Sequence, residues 1–368
     1  MRLFANKNRK DAGALLLVIF IGVLVLSFFK IKHSVDFLNL DEFLWMYRSR
    51  FFIDRIMEFD FSNLIQSSQP GIMVMWFSGP FMKMIDYDFN SIAHLIGELN
   101  RAGAYNVIND PSRNYYDGFG QISFLFNIPI VSAMILFVVS LYYLLKKLSF
   151  PGWAAIFALL LIVTTPYYVF FTTPTDKLAG IFSVLSLLCL LVYSGKYGGK
   201  KFLFLSGFLG SWAALSKMSA LFLIPFSFLL LLFYSLEYQS GKITSPSLKK
   251  IKAAINDFFS WSLVFIVTSM IFLPTIITNS RTVAGLFIKE SSDRSLVASG
   301  QSFSFFGVAF RYLSDTFFLS FNLYVIVVFI AFFFLIVQRI KRNIRLQKEV
   351  PVLFAFIVFF FVFTVIYS

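Results

Sequence analysis

Residues 174–217 read PTDKLAGIFSVLSLLCLLVYSGKYGGKKFLFLSGFLGSWAALSK. Two apolar runs, roughly 178–194 and 202–216, are separated by a short segment that carries Lys196, Lys200 and Lys201. Each run approaches the ~20 apolar residues that a helix needs to cross the hydrocarbon layer of a bilayer. The stretch therefore predicts a helical hairpin that crosses a membrane twice, with its basic turn on one side.

The composition of the whole chain agrees with a membrane protein. Of its 368 residues 58% are hydrophobic and 51 are Phe, and the mean hydropathy is +0.78. The net charge of +13 is explained by Lys and Arg in cytoplasmic loops. The positive charge is therefore not taken as a sign of a nucleic-acid partner. The single cysteine, Cys189, excludes an intramolecular disulfide.

Hydropathy predicts an all-α polytopic membrane protein with about nine spans. The candidate spans are roughly 13–30, 122–145, 152–172, 178–194, 202–216, 219–236, 258–279, 319–338 and 351–367. With these spans every basic cluster lies on the side of the N-terminus, which the positive-inside rule assigns to the cytoplasm. The predicted regions are a cytoplasmic basic N-terminus (1–12), an uncleaved first span (13–30), a long external loop (31–121) and the remaining spans (122–368).

The external loop is expected to be structured. Polar residues between Asp41 and Phe59 keep helical spacing, which predicts an amphipathic helix in the headgroup layer with Trp45 and Tyr47 as interfacial anchors. The segment Gly71–Ile85 is short and contains Gly79-Pro80, so it is predicted to be a broken, re-entrant or interfacial helix rather than a span.

Three acidic residues on the external side are candidates for chemistry. Asp41 and Glu42 begin the amphipathic segment, and Asp176 lies with Lys177 in what is predicted to be a tight external turn. A carboxylate at an apolar boundary is harder to ionise, which suits a general base that takes a proton from a hydroxyl. The alternatives are a solvated helix start for the first pair and a plain polar turn for the second.

Lys217 is the most informative basic residue. It lies between two apolar runs and is predicted to be on the external side. Lysine at membrane depth is energetically costly, so its presence there suggests a functional role. A lipid phosphate is a natural partner, and snorkelling to bulk headgroups is the alternative. His33 and His94 are not a metal signature, and the sequence has no nucleotide-binding motif. An outward-facing transferase would therefore need its activated group delivered on a lipid.

In order along the chain, these motifs resemble those of a known family. Asp41-Glu42 is followed by Gln69-Pro70-Gly71 with Trp76, then by Pro174 to Lys177, and by Gly207 to Lys217. This looks like the GT-C glycosyltransferases of the protein O-mannosyltransferase and aminoarabinose-transferase type, grouped as glycosyltransferase family 39.

The resemblance implies roles for individual residues. Asp41 matches the loop aspartate regarded in the family as the catalytic base or as the residue that orients the acceptor, with Glu42 beside it. Asp176 matches a second acid. Lys217 matches a lysine that holds the lipid phosphate. Gln69 stands where the family usually has His or Lys, so either Arg48 or Lys177 supplies the missing charge or the donor is held differently.

The predicted function is an inverting glycosyltransferase that moves a sugar from a polyprenyl-phosphate carrier to a hydroxyl acceptor. The acceptor would be a glycolipid, a polysaccharide or a protein. The expected location is a bacterial inner membrane, with the site facing outward and membrane lipid around it. No cofactor besides the lipid-linked donor and no metal ligand is assigned. The alternative is a non-enzymatic flippase for a lipid-linked sugar. The chain is expected to be a short member of the family or truncated at its C-terminus.

Overall fold

The computed structural model describes residues 40–64, 71–84, 119–148, 174–195, 197–217, 220–221, 223–235, 238–239, 242–243 and 248–285, with the isolated positions 17 and 22. Apart from those two positions, the predicted spans 13–30, 152–172, 319–338 and 351–367 lie outside the described residues.

Helices account for nearly all the described structure. They are α1 (Leu40–Met57), a 3₁₀ turn (Phe61–Asn63), α2 (Ile72–Met84), α3 (Phe119–Lys147), α4 (Pro174–Ser194), α5 (Lys200–Ser216), α6 (Leu223–Ser235), α7 (Leu248–Phe272) and α8 (Thr275–Thr278). Strands β1 (Tyr238–Gln239) and β2 (Lys242–Ile243) form a two-residue antiparallel ladder between α6 and α7. The predicted helical class is confirmed for this part of the chain, with that ladder as its exception.

Within the described ranges, three helices are long and apolar enough to cross a membrane: Phe124–Lys147, Lys177–Ser194 and Leu248–Phe272. A shorter apolar helix covers Leu223–Leu232. The count of about nine spans stays a prediction.

Two predicted helix boundaries are wrong. The expected span 258–279 is instead α7, which starts at Leu248 and ends at Phe272. Its first turns carry Lys249 and Lys252, which lower the hydropathy without disfavouring a helix. It ends where it does because Pro274 follows and disfavours helical backbone at the preceding residue.

The chain forms two compact units. One comprises Met1–Leu221 and Trp261–Phe287, and the other Phe222–Ser260 and Ile288–Ser368. In the second unit the rings of Phe228 and Phe258 meet edge to face, with centroids 5.1 Å apart. All the candidate site residues within the described ranges lie in the first unit.

Small residues of α5 organise the first unit. The Ser186 hydroxyl donates to the Ser206 carbonyl oxygen at 2.8 Å, and Trp261 Nε1 donates to the Ser206 hydroxyl at 3.0 Å. A Cβ atom at Gly207 would lie 2.7 Å from the Trp261 carbonyl oxygen, and one at Gly210 would lie 3.0 Å from the Trp261 ring. Helices in membranes approach closely at such small residues and bond through hydroxyl groups. The glycines of the Gly207-to-Lys217 motif are therefore explained by packing.

Helix α2 packs against the ends of several helices of the same unit. Its Ser78 hydroxyl donates to the carbonyl oxygen of Phe126 in α3 at 2.8 Å, and Trp76 Nε1 donates to that of Phe272 in α7 at 2.8 Å. With 13 residues, α2 is about 20 Å long and too short to cross a bilayer. The predicted break at Gly79-Pro80 is wrong, because the helix continues to Met84 with Pro80 inside it.

Helix α1 lies in parallel contact with α2 and fixes the identity of two glycines. Gly71 has φ +48°, and a Cβ atom there would lie 2.1 Å from the indole of Trp45. A Cβ atom at Gly79 would lie 2.8 Å from the Ser49 carbonyl oxygen and 2.3 Å from Ile53. The predicted anchoring of Trp45 at the membrane interface is wrong, because the indole is 1% exposed and buried against protein.

We predict that Gly71→Ala destabilises the protein by about 2–4 kcal/mol, because alanine has the wrong backbone preference there and overlaps Trp45. The measurement is the thermal unfolding midpoint of the full chain in detergent. Gly180→Ala is the matched control, since a Cβ atom at Gly180 would meet nothing within 4 Å. Equal midpoints for the two variants would contradict the packing of Trp45 on Gly71.

Candidate functional site

The structure brings Lys177 and Lys217 to the same end of an antiparallel helix pair. Phe182 of α4 meets Trp212 of α5 with ring centroids 5.1 Å apart, and deeper in the pair Ser186 contacts Ser206. The same register, continued by a little more than one turn, sets Lys177 level with Lys217. Both cations therefore lie at the end of the pair where α5 ends and α4 begins.

Lys217 is the residue at which α5 ends. Its backbone is extended (φ −152°, ψ 130°), yet its N–H still donates to the Ala213 carbonyl oxygen at 3.0 Å. Its own carbonyl oxygen accepts from the N–H of Ala220 at 3.0 Å, which turns the chain. The side chain is half-buried. A cation is favoured here because the C-terminal end of a helix carries partial negative charge.

Lys177 occupies the first turn of α4 and is 6% exposed. The tight turn predicted at Asp176 and Lys177 is wrong, because α4 already begins at Pro174, a residue well suited to the first helical position. The helix dipole opposes a cation in this turn and favours an acid such as Asp176. Burying an ammonium group is costly unless polar groups compensate for it, so the buried Lys177 needs polar groups around it.

Asp41 and Glu42 lie in the first turn of α1. The predicted helix that begins near Asp41 is confirmed, with bounds Leu40–Met57. Carboxylates are stabilised at a helix N-terminus, which is the structural reason for acids at this position. The catalytic role of the pair stays a prediction.

Arg48 stacks on the indole of Trp45, with its guanidinium carbon 4.8 Å from the ring centroid. Trp45 in turn covers Gly71, the residue before α2. The Arg48 guanidinium therefore lies on the side of α1 that meets the beginning of α2. Gln69 lies outside the described residues. The proposal that Arg48 replaces a missing cation at that position is therefore a prediction.

An ion cluster absent from the sequence-based prediction holds α1 on α2. Arg50 donates through Nη1 to the carbonyl oxygens of Met82 and Lys83, both at 3.0 Å, and through Nε to Asp54 at 3.0 Å. Lys83 also pairs with Asp54. Since Met82 and Lys83 end α2, the guanidinium caps carbonyl groups that the helix leaves unsatisfied. Only the i,i+4 spacing of Arg50 and Asp54 was visible in the sequence.

Aromatic rings connect α1 to the helix ends that carry the two lysines. The contacts form a continuous chain of centroid distances between 4.5 and 6.3 Å through Phe52, Trp76, Phe77, Phe182, Phe208, Trp212 and Phe272. Trp212 touches four of these rings. This cluster makes the position of α1, and so of Asp41, dependent on α4, α5 and α7.

The described side chains determine which chemistry this region can perform. Among the described residues no group of His, Cys, Asp or Glu side chains is arranged to hold a metal ion. The site offers ammonium groups at one end of a helix pair and a helix that starts with two acids, connected through α2. That set suits compensation of a phosphate charge and acceptance of a proton.

Residues 119–255 match the protein family described as dolichyl-phosphate-mannose-protein mannosyltransferase. No curated protein and no solved structure matches the chain significantly. The match confirms the resemblance to GT-C glycosyltransferases and supports an integral membrane glycosyltransferase similar to mannosyltransferases. It covers α3 to α6, with Asp176, Lys177 and Lys217 inside and Asp41, Glu42, Arg48 and Gln69 before it.

We predict that Arg50→Ala lowers the free energy of unfolding by about 1–2 kcal/mol, since it leaves the two α2 carbonyl groups and Asp54 without the guanidinium. Arg55→Ala is the control, because the ion pairs of Arg55 with Glu58 and Asp60 stay within one local segment. Thermal unfolding of both variants is the measurement. A larger loss for Arg55→Ala would overturn the role assigned to Arg50.

Proposed function

We propose that the protein is an inverting glycosyltransferase that moves a sugar from a polyprenyl-phosphate carrier to a hydroxyl acceptor at the external membrane face. The observation that carries the proposal is the common level of Lys177 and Lys217 within the part of the chain that matches the mannosyltransferase family. A lipid phosphate is the leaving group that such a pair of cations suits.

In the proposed reaction, Asp41 accepts the proton of the acceptor hydroxyl while the hydroxyl oxygen attacks the anomeric carbon of the sugar. The bond between that carbon and the phosphate oxygen breaks on the opposite face, and its electron pair leaves with the polyprenyl phosphate. Lys217 and Lys177 compensate the charge that grows on the phosphate. The phosphate needs no protonation, so one base and cationic compensation complete the chemistry.

The remaining residues have supporting roles in this proposal. Glu42 shares the first turn of α1 with Asp41, and Asp176 is the acid beside Lys177. Arg48 and Gln69 belong to the segment between the first acids and α2, where they would contact the donor. The proposed location is a bacterial inner membrane, and the acceptor class is a glycolipid, a polysaccharide or a protein.

We predict that Asp41→Asn lowers the turnover of glycosyl transfer by about 10²–10⁴-fold, because the amide cannot accept the proton. The assay uses full-length protein in liposomes, a panel of radiolabelled polyprenyl-phosphate sugars and a membrane-extract acceptor pool. Glu58→Gln is the control, since Glu58 is exposed on the same segment. Near-normal turnover of Asp41→Asn would refute the base assignment. Absence of transfer by folded wild-type protein would favour the flippase alternative.

We predict that Lys217→Ala raises the KM for the lipid-phosphate donor by about tenfold or more and leaves the KM for the acceptor within about twofold. Lys217→Arg should restore most of the donor affinity because it keeps the charge. Lys252→Ala, which removes an exposed lysine of the second unit, is the control. A change confined to the acceptor constant would contradict the donor role.

A further inference from the structure

Four lysines gather at the opposite end of the same helices. Lys146 and Lys147 end α3, and Lys200 and Lys201 begin α5. The ammonium groups of Lys147 and Lys201 each lie 5.6 Å from the ring centroid of Phe202, so both are drawn to one buried ring. Lys147 also donates to the Tyr197 carbonyl oxygen at 3.5 Å. We call these four residues the lysine cluster.

Within the part of the chain that the structure describes, no carboxylate pairs with the lysine cluster. Among the described residues, the ion pairs involve Arg50, Arg55 and Lys83 and none of these four lysines. The sequence has no Asp or Glu in residues 118–175 or 177–236, which include the whole turn between α4 and α5. The like charges of Lys147 and Lys201, which share one ring, repel one another, and an anion between them would relieve that repulsion.

Exposed apolar side chains continue from the lysines along the same helix faces. On α5, Phe204 and Leu205 follow Lys201 by three and four positions and are 44% and 42% exposed. On α3, Tyr143 and Val139 precede Lys147 by one and two turns and are 40% and 39% exposed. Lys147 and Lys201 are therefore each accompanied, along one face of the helix, by exposed apolar side chains, which we call the two apolar stripes.

We propose that the lysine cluster binds the phosphate of an anionic phospholipid, whose acyl chains lie on the two apolar stripes. A free phosphate ion would use the lysines alone and leave the stripes without a role. A soluble acidic protein would bind the lysines through its charges and would leave the apolar stripes without a role. The charge and the stripes together fit one amphipathic molecule, and this binding is independent of the proposed transferase activity.

The test is equilibrium binding of fluorescent phosphatidylglycerol to the full chain in a zwitterionic detergent, with fluorescent phosphatidylcholine alongside. Wild-type protein should prefer phosphatidylglycerol. Lys147→Gln/Lys201→Gln should weaken that binding by about 30-fold. Each lysine near an anionic headgroup contributes roughly five- to sixfold in affinity, and the variant removes two. Lys147→Arg/Lys201→Arg should keep it within about threefold.

The control with the same charge change is Lys249→Gln/Lys252→Gln, which removes two exposed lysines from α7 and should weaken binding by less than about threefold. An equal loss in this control, or equal binding of both lipids to wild type, would overturn the proposal. Full displacement of phosphatidylglycerol by 10 mM inorganic phosphate, roughly isosteric with the headgroup phosphate, would assign the lysines to a free anion instead. If the glutamine pair unfolds, the wild-type preference and the arginine pair still decide the outcome.

Discussion

The hydroxyl group of Ser206 is the contact on which the first unit depends. It lies 3.1 Å from the hydroxyl of Ser186 and accepts a hydrogen bond from Trp261, so it joins α4, α5 and α7 at one point. Gly207 and Gly210 allow the close approach that these bonds need. Because this contact sets the antiparallel register of α4 and α5, it also decides that Lys177 and Lys217 share a level.

Helix α2 transmits that arrangement to the acids at the start of α1. Its rings pack on α4, α5 and α7, while Gly71 and Gly79 admit Trp45 and Ile53 of α1. Arg50 closes the far end of the same pair by capping α2. A short helix that is too small to span a membrane thus connects α1, which carries Asp41, to the helices that carry the two lysines.

The two ends of the first unit both carry lysines but differ in what surrounds them. One end has Lys177, Lys217 and the helix that starts with acids, and there the proposed transfer would take place. The other end has the lysine cluster above two apolar stripes, which suits a lipid of the surrounding bilayer. A helix hairpin with short connections produces this polarity directly, since it returns every second helix end to the same side.

The sequence by itself determined the membrane class, the helix that begins near Asp41 and the short helix after Gly71, because hydropathy and helical spacing are local properties. It failed for the turn at Asp176, the break at Pro80 and the exposure of Trp45. Those depend on what packs against each segment. Only the tertiary structure decided the register that brings Lys177 level with Lys217, the capping by Arg50 and the two lysines on Phe202. Each of these joins residues far apart in the chain, and the contacts that select such pairs are made only when helices pack.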